Sequence, residues 1–181
     1  MASLREQPLK ADADRSIRPV RDDEHESVLA IINEAAQRYH GVIPEDRWHE
    51  PYFSADYLAC ELAAGVRLYG YEADGGELLA VIGVQDVEDV TLIRHAYVSP
   101  GAQRRGIGGE LLRFLLASAD RQVLVGTWND AVWAIDFYEK HGFARVGREE
   151  TTRLLRRYWD IPARQVETSV VLALHTPPVP R

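Results

Sequence analysis

The chain has 181 residues, of which 46% are hydrophobic and 27% are charged, and this composition is that of a soluble globular protein of one domain. Its net charge of -7 argues against nucleic acid and an anionic membrane as general partners. No run approaches the roughly 20 apolar residues that span a bilayer. Because the first residues also lack the apolar core of a secretory signal, we expect a cytoplasmic protein.

Cys60 is the single cysteine, so the chain can form neither an internal disulfide nor a cysteine-based metal site. Its neighbours Leu58 and Leu62 favour a small buried side chain over a nucleophile.

The N-terminal part predicts a tail, a strand and a helix in that order. Residues 1–15 are polar and lack periodicity, which is typical of a mobile tail, and residues 17–20 predict a short edge strand. Asp23 and Glu26 have capping-box spacing ahead of a helix. The apolar face of that helix is predicted to comprise Val28, Ile31, Ile32, Ala35 and Tyr39.

Residues 39–53 form a loop rich in aromatic, histidine and acidic side chains, and such a loop is a candidate for substrate contacts. The alternative is that its aromatic side chains pack onto the core. No metal is expected here, because the spacing of the histidines and carboxylates lacks a His-Glu-x-x-His pattern. The candidate substrate residues of this loop are Tyr39, His40, Glu45, Trp48 and Tyr52.

The middle of the chain predicts a hairpin and a crossover unit. Ser54 caps a helix that ends at Gly65, and the turn at Asp74-Gly75-Gly76 separates strands over 66–71 and 77–84. A strand over 90–98 is expected to pair next to them. A helix over 107–119 then leads to a strand over 122–126, which a right-handed crossover places parallel to the preceding one.

The C-terminal part predicts a helix over 131–141, an arginine-rich segment over 148–157 and a strand over 167–174. Residues 175–181 are expected to fray, which leaves residues 16–174 as the single domain.

The joint between the strand over 90–98 and the helix over 107–119 carries the clearest chemical signal. It contains the sequence QRRGIGG at residues 103–109, in which glycines let backbone N–H groups at a helix N-terminus approach a ligand. Such a joint attracts phosphate. The spacing excludes both the Gly-x-x-x-x-Gly-Lys-Ser/Thr loop and the dinucleotide fingerprint, and a plain tight turn is the alternative.

This loop resembles the Gln/Arg-x-x-Gly-x-Gly/Ala loop of the GNAT superfamily of acyl-CoA N-acyltransferases, and the flanking AYVSP (96–100) and the following Leu-Leu are similar too. The order of elements over 16–174 also resembles that family's α/β (α+β) fold, a mixed and mostly antiparallel sheet of about six to seven strands flanked by helices. The resemblance implies acetyl-CoA as acyl donor. The cofactor-binding residues that it implies are Tyr97, Val98, Gln103, Arg104, Arg105, Gly106, Ile107, Gly108, Gly109, Asn129 and Tyr138.

Acyl transfer to an amine needs an oxyanion site, an acid for the leaving thiolate and a neutral amine. The resemblance implies that the backbone N–H of Val98 or its neighbour holds the oxyanion. The segment FYEKHGF (137–143) is similar to the family's Phe-Tyr-Glu-x-x-Gly-Phe, in which the tyrosine, here Tyr138, acts as general acid. A phenol with a pKa near 10 is suited to that role, and a purely packing role for Tyr138 is the alternative.

The general base is left open. Leu92 stands where some relatives place a glutamate. His95 has a suitable pKa, but strand alternation places Arg94 on the face of Leu92 and turns His95 away. His40 or Glu45 is an equal candidate for the base, and a weakly basic amine needs none. Arg94 is expected among the substrate contacts.

The sequence therefore predicts an N-acetyltransferase that acts on a primary amine of a small molecule by direct attack in a ternary complex. The acceptor is amino-acid-like or cationic, and the acidic residues of the 45–56 stretch fit a cation. Open alternatives are a longer acyl group, a protein N-terminus or lysine as acceptor, and a non-catalytic acyl-CoA-binding module. A homodimer is also left open, since the strand over 167–174 is apolar enough to pair or pack.

Overall fold

A seven-stranded sheet organises the chain in the computed structural model, which describes residues 16–174. The tails predicted over 1–15 and 175–181 lie outside the described residues. The strands are β1 Ile17–Pro19, β2 Arg67–Glu72, β3 Leu78–Val87, β4 Val90–Val98, β5 Gln122–Trp128, β6 Phe143–Arg145 and β7 Ser169–Leu174. In the sheet they stand in the order β1-β2-β3-β4-β5-β7-β6.

Helices cover both faces of the sheet because side chains alternate along its buried strands. The helices are α1 His25–Ala36, α2 Ala55–Ala63, α3 Ile107–Ala117, α4 Val132–Lys140, α5 Arg148–Tyr158 and α6 Ala163–Glu167. Ile82 and Val125 pack under α3 and α4, whereas Val81 packs under α1 and α2, and Leu124 packs under α5. No helix within residues 16–174 is long and apolar enough to cross a membrane.

The predicted apolar face of α1 is confirmed from Val28 to Ala35, but the predicted capping box is wrong. A short 3-10 turn over Asp22–Glu24 precedes the helix, and the Glu24 carboxylate accepts a hydrogen bond from the Arg21 N–H at 2.8 Å. Glu24, and not Glu26, is therefore the acidic residue of the capping box. Arg18 also donates to the Glu24 carboxylate.

In α2 the cap is confirmed and the environment predicted for the cysteine is wrong. The Ser54 Oγ accepts from the Tyr57 N–H at 3.1 Å. The helix buries Leu58 and Glu61, whereas Cys60 is exposed. Cys60 lies about 200° around the helix from Leu58, so it faces solvent.

The hairpin and the crossover are confirmed. β2 and β3 pair antiparallel across the turn that ends at Gly76, where φ is +86°. α3 then carries the chain from β4 to β5, and these strands pair in parallel.

The C-terminal part contains two features that the sequence patterns did not predict. The arginine-rich segment is a helix, α5, which buries Leu154, Leu155 and Tyr158 on one side. β7 enters the sheet between β5 and β6 and pairs antiparallel with both. β5 therefore has a partner along its whole length, from Val123 to Trp128.

Candidate active site

A β-bulge in β4 shapes the centre of the molecule. Val81 pairs with Tyr97 and Gly83 pairs with Arg94, so His95 and Ala96 together oppose the single residue Ile82. His95 takes up the extra length with a left-handed backbone, at φ +48°. Such a bulge bends its strand and re-aims the side chains beyond it.

The bulge overturns the prediction that His95 points away from Arg94. Both side chains bond the same oxygen, Oε2 of Glu61 on α2, at 2.5 Å each. The simple alternation of a flat strand fails here because the inserted residue breaks the two-residue period.

The bulge also separates β4 from β5. Their parallel pairing ends at Ile93 and Val125. Beyond that point the last residues of β5 pair only with β7, in the part of the chain that the structure describes. A cleft of about 680 Å³ opens there, and both the bulged end of β4 and the end of β5 line it.

The backbone of Val98 faces this gap. Ser99 donates its N–H to Leu79 O at 2.9 Å, which makes Ala80 and Val98 a non-hydrogen-bonded pair of the antiparallel ladder. The N–H and C=O of Val98 therefore point away from β3, toward the gap. The side-chain amide of Gln103 donates to Val98 O at 3.1 Å and leaves the Val98 N–H directed at the cleft.

The N-terminus of α3 borders the same cleft. Gly106 caps the helix at φ +86°, and Glu110 makes the first intrahelical bond, to Gly106 O at 3.1 Å. The amides of residues 107–109 have no acceptor within the described residues, as expected of a first helical turn. A Cβ at Gly109 would lie 2.9 Å from His141 Nε2, so only glycine fits without displacing that ring.

Not all of the loop lies in the cleft. Arg104 lines the cleft, whereas Arg105 is exposed and does not line it. Arg113, one helical turn after Gly109, lines it as well and adds a cation that the sequence reasoning missed. Its spacing from Gly109 on α3 is the signal that could have found it.

Four tyrosines converge on the cleft. Tyr138 on α4 is buried, and Tyr39, Tyr52 and Tyr97 lie close enough for their hydroxyl groups to influence one another electrostatically. Burial raises the pKa of Tyr138 well above 10 and raises the pKa of Tyr39 to about 12. Both phenols therefore stay protonated at neutral pH and can donate hydrogen bonds.

Glu61 and His95 form a buried pair that sequence reasoning did not find. Burial raises the pKa of Glu61, but the bonds from His95 and Arg94 outweigh it and lower that pKa overall. Burial also lowers the pKa of His95, against the opposing effect of Glu61. A neutral His95 must then donate its Nε2–H to the ionised carboxylate, which leaves Nδ1 with its lone pair.

The other predicted site residues divide between the cleft and the surface. Tyr39, Tyr52 and Arg94 line the cleft, whereas His40, Glu45 and Trp48 do not. Trp48 stacks on Tyr52 at a centroid distance of 5.5 Å and so supports that ring from outside.

Asn129 is exposed, lies outside the cleft and precedes α4, where its N–H donates to Thr168 O. No group of three or more potential metal ligands occurs in residues 16–174.

Residues 64–145 match the family model of the acetyltransferase (GNAT) domain. Comparison with curated proteins finds no match.

Three of the solved structures that share the fold illustrate the likeness. An acetyltransferase of the GNAT family from Staphylococcus aureus Mu50 is 15% identical with a TM-score of 0.66, covering 87% of this chain and 96% of that one. The PaiA N-acetyltransferase from Thermoplasma acidophilum, in complex with coenzyme A, is 17% identical with a TM-score of 0.65, covering 88% and 98%. The ribosomal-protein-S18-alanine N-acetyltransferase from Escherichia coli is 18% identical with a TM-score of 0.59, covering 87% and 91%.

Identities this low establish the shared fold, and the domain match covers residues 64–145. Together they show that the chain has the fold of GNAT-family acetyltransferases and that its residues 64–145 are similar to the GNAT acetyltransferase domain.

Proposed function

We propose that the chain transfers the acetyl group of acetyl-CoA to a primary amine of a small molecule, by direct attack in a ternary complex. One observation carries this proposal: a single cleft brings together the Val98 N–H, the α3 N-terminus and the Tyr138 side chain. These are the groups that hold an oxyanion, bind a pyrophosphate and protonate a thiolate.

The residues present fit acetyl-CoA. The free amides of residues 107–109 and the positive end of the α3 dipole suit a pyrophosphate, and Arg104 and Arg113 add positive charge. The gap between β4 and β5 can admit an extended chain such as pantetheine, because neither strand bonds the other there. Asn129 does not contribute to this site in the proposal, since it is exposed outside the cleft.

The remaining residues supply the proton transfers. His95 accepts a proton from the attacking amine at Nδ1 while Glu61 holds Nε2–H, and the Val98 N–H stabilises the oxyanion as the C–N bond forms. Tyr138 donates its proton to the sulfur as the C–S bond breaks. Cys60 is exposed on α2 and outside the cleft, which supports direct transfer over a covalent acyl-enzyme.

A small acceptor is favoured because the loop over 39–53 lines the cleft, where the Phe53 ring lies at a centroid distance of 4.6 Å from the ring of His95. Phe53 of that loop is 2% exposed, and Tyr39 and Tyr52 are partly buried. An acceptor on a folded protein would have to displace these packed rings.

The test is an assay of free CoA thiol released from acetyl-CoA with a panel of primary amines and a peptide with a free N-terminus. We expect thiol release that depends on a small amine and exceeds the rate with the peptide. Binding of acetyl-CoA without amine-dependent release would instead support a non-catalytic acyl-CoA-binding module.

A further inference from the structure

The acceptor end of the cleft has a distinctive charge. We define this end as the lining residues within 35–57, those of β4 from Arg94 to Ala96, Trp128, Trp133 and those of the segment 155–169. Among the described residues that line the whole cleft, the acidic side chain is that of Glu110, and it lies on α3 beside the glycine-rich loop. The described residues of the acceptor end therefore contribute no carboxylate to the lining of the cleft.

Two arginines line the acceptor end, and only one of them has its charge neutralised by a carboxylate. Arg94 is neutralised by Glu61 and also bonds Gln85. Arg38 has no carboxylate partner within residues 16–174, and its guanidinium lies 4.5 Å from the centre of the Trp133 ring. The guanidinium of Arg38 therefore occupies the face of Trp133 that could otherwise bind a cationic ligand. Because no carboxylate neutralises Arg38, this end keeps a net positive charge.

The acidic residues that were expected to attract a cation lie elsewhere. Glu45 and Asp46 are exposed and do not line the cleft. Asp46 lies 3.4 Å from Arg164, which further offsets its charge. The expectation that the 45–56 stretch serves a cationic acceptor is therefore not supported by the position of these side chains.

Aromatic rings supply most of the apolar surface at this end. Phe53 and Tyr57 enclose the His95 ring at centroid distances of 4.6 and 6.2 Å. Tyr57 is 45% exposed although its ring is large and mostly apolar, which places uncovered aromatic surface beside the proposed base. Tyr39, Tyr52, Trp128 and Trp159 continue this lining.

We infer that the acceptor is a primary amine attached to an aromatic or bulky apolar group, with no second positive charge. This inference rests on the proposed function and deepens it. An aromatic group gains from burial against the tyrosine and tryptophan rings. A polyamine or aminoglycoside would bring further charges toward Arg38 with no carboxylate to receive them.

The test compares kcat/KM for phenethylamine, hexylamine and cadaverine. Hexylamine and cadaverine are similar chains that differ in whether the far end carries a second ammonium group. We expect cadaverine to be at least about tenfold poorer than hexylamine, because its second charge meets an uncompensated arginine, and phenethylamine to be at least as good as hexylamine. A preference for cadaverine would overturn the inference and leave the proposed function intact. Acetyl-CoA binding with no turnover of any amine would overturn both.

Reversing the charge of Arg38 tests whether this side chain is the cause of the discrimination against cadaverine. Arg38→Glu is expected to raise the cadaverine-to-hexylamine ratio of kcat/KM at least about fivefold. Arg156→Glu is the matched control, since Arg156 is exposed on α5 outside the cleft, and we expect it to leave that ratio unchanged. An equal ratio in both variants and the wild type would overturn the assignment of Arg38.

Discussion

Tyr138 is the residue on which protonation of the leaving thiolate depends in the proposed reaction. Tyr138→Phe keeps the ring that packs against Phe137 and Phe143 but removes the proton donor. We expect kcat to fall by about 100-fold or more, while the dissociation constant for acetyl-CoA, measured by calorimetry, stays within about twofold. A kcat close to that of the wild type would assign Tyr138 to packing alone.

The pair of Glu61 and His95 predicts a specific pH dependence. The folded protein holds the pKa of His95 below 6.5, so kcat should fall as the pH drops through that lowered pKa and the imidazole becomes protonated. Glu61→Gln removes the charge that favours the imidazolium. We therefore expect the acid limb of the kcat profile at saturating amine to move to lower pH, with a lower plateau.

The matched control for that profile is Glu34→Gln, since Glu34 is exposed on α1 and does not line the cleft. Its acid limb should coincide with that of the wild type. If the acid limb of the kcat profile stays in place or moves to higher pH in Glu61→Gln, Glu61 does not set the pKa of the proposed base.

At this scale the sequence indicated single candidate residues more readily than the partners of those residues. Tyr138 and the loop glycines stand in local motifs, so a short stretch of sequence is enough to find them. Glu61 lies 34 residues from His95, and the two meet because a bulge redirects His95. No local periodicity signals a bulge of this kind, which is why the alternation argument failed.

Among the elements, the start of α3 depends most on backbone conformation. Gly106 has φ +86°, which strains any residue with a side chain. Gly106→Ala should lower the free energy of unfolding by about 1–2 kcal/mol, measured by urea denaturation, and weaken acetyl-CoA binding because the following amides are re-aimed.

Gly147→Ala provides the matched control. Gly147 also precedes a helix, but its φ is -63° and a Cβ would meet nothing within 4 Å. We expect its stability to change by less than about 1 kcal/mol. Equal losses in the two variants would contradict the role given to the left-handed cap.

Element prediction worked where one face of a segment was plainly apolar, as in α1 and α3. It missed α5 because arginines dominate that segment, although Leu154, Leu155 and Tyr158 share a buried side. The insertion of β7 between β5 and β6 is a long-range pairing, which strand patterns do not specify.

At the scale of the molecule, the groups proposed to bind acetyl-CoA and the carboxylate that supports the proposed base lie on opposite faces of the sheet. The glycine-rich loop leads into α3 on one face, while Glu61 belongs to α2 on the other. The gap between β4 and β5 connects them. The loop motif and the order of elements predicted this architecture, because they resemble those of a known family. The splay itself follows from the bulge and became visible only in the structure.

The measurement that tests the central claim most directly is a calorimetric titration of acetyl-CoA into the wild type and the Arg104→Glu/Arg105→Glu double variant. We predict a dissociation constant in the micromolar range for the wild type, typical of enzyme ligands. Binding should be at least about tenfold weaker in the double variant, because two cations beside a helix N-terminus are reversed in sign. No heat of binding to the wild type, or equal affinity in the two proteins, would contradict the assignment of the loop as the acetyl-CoA site.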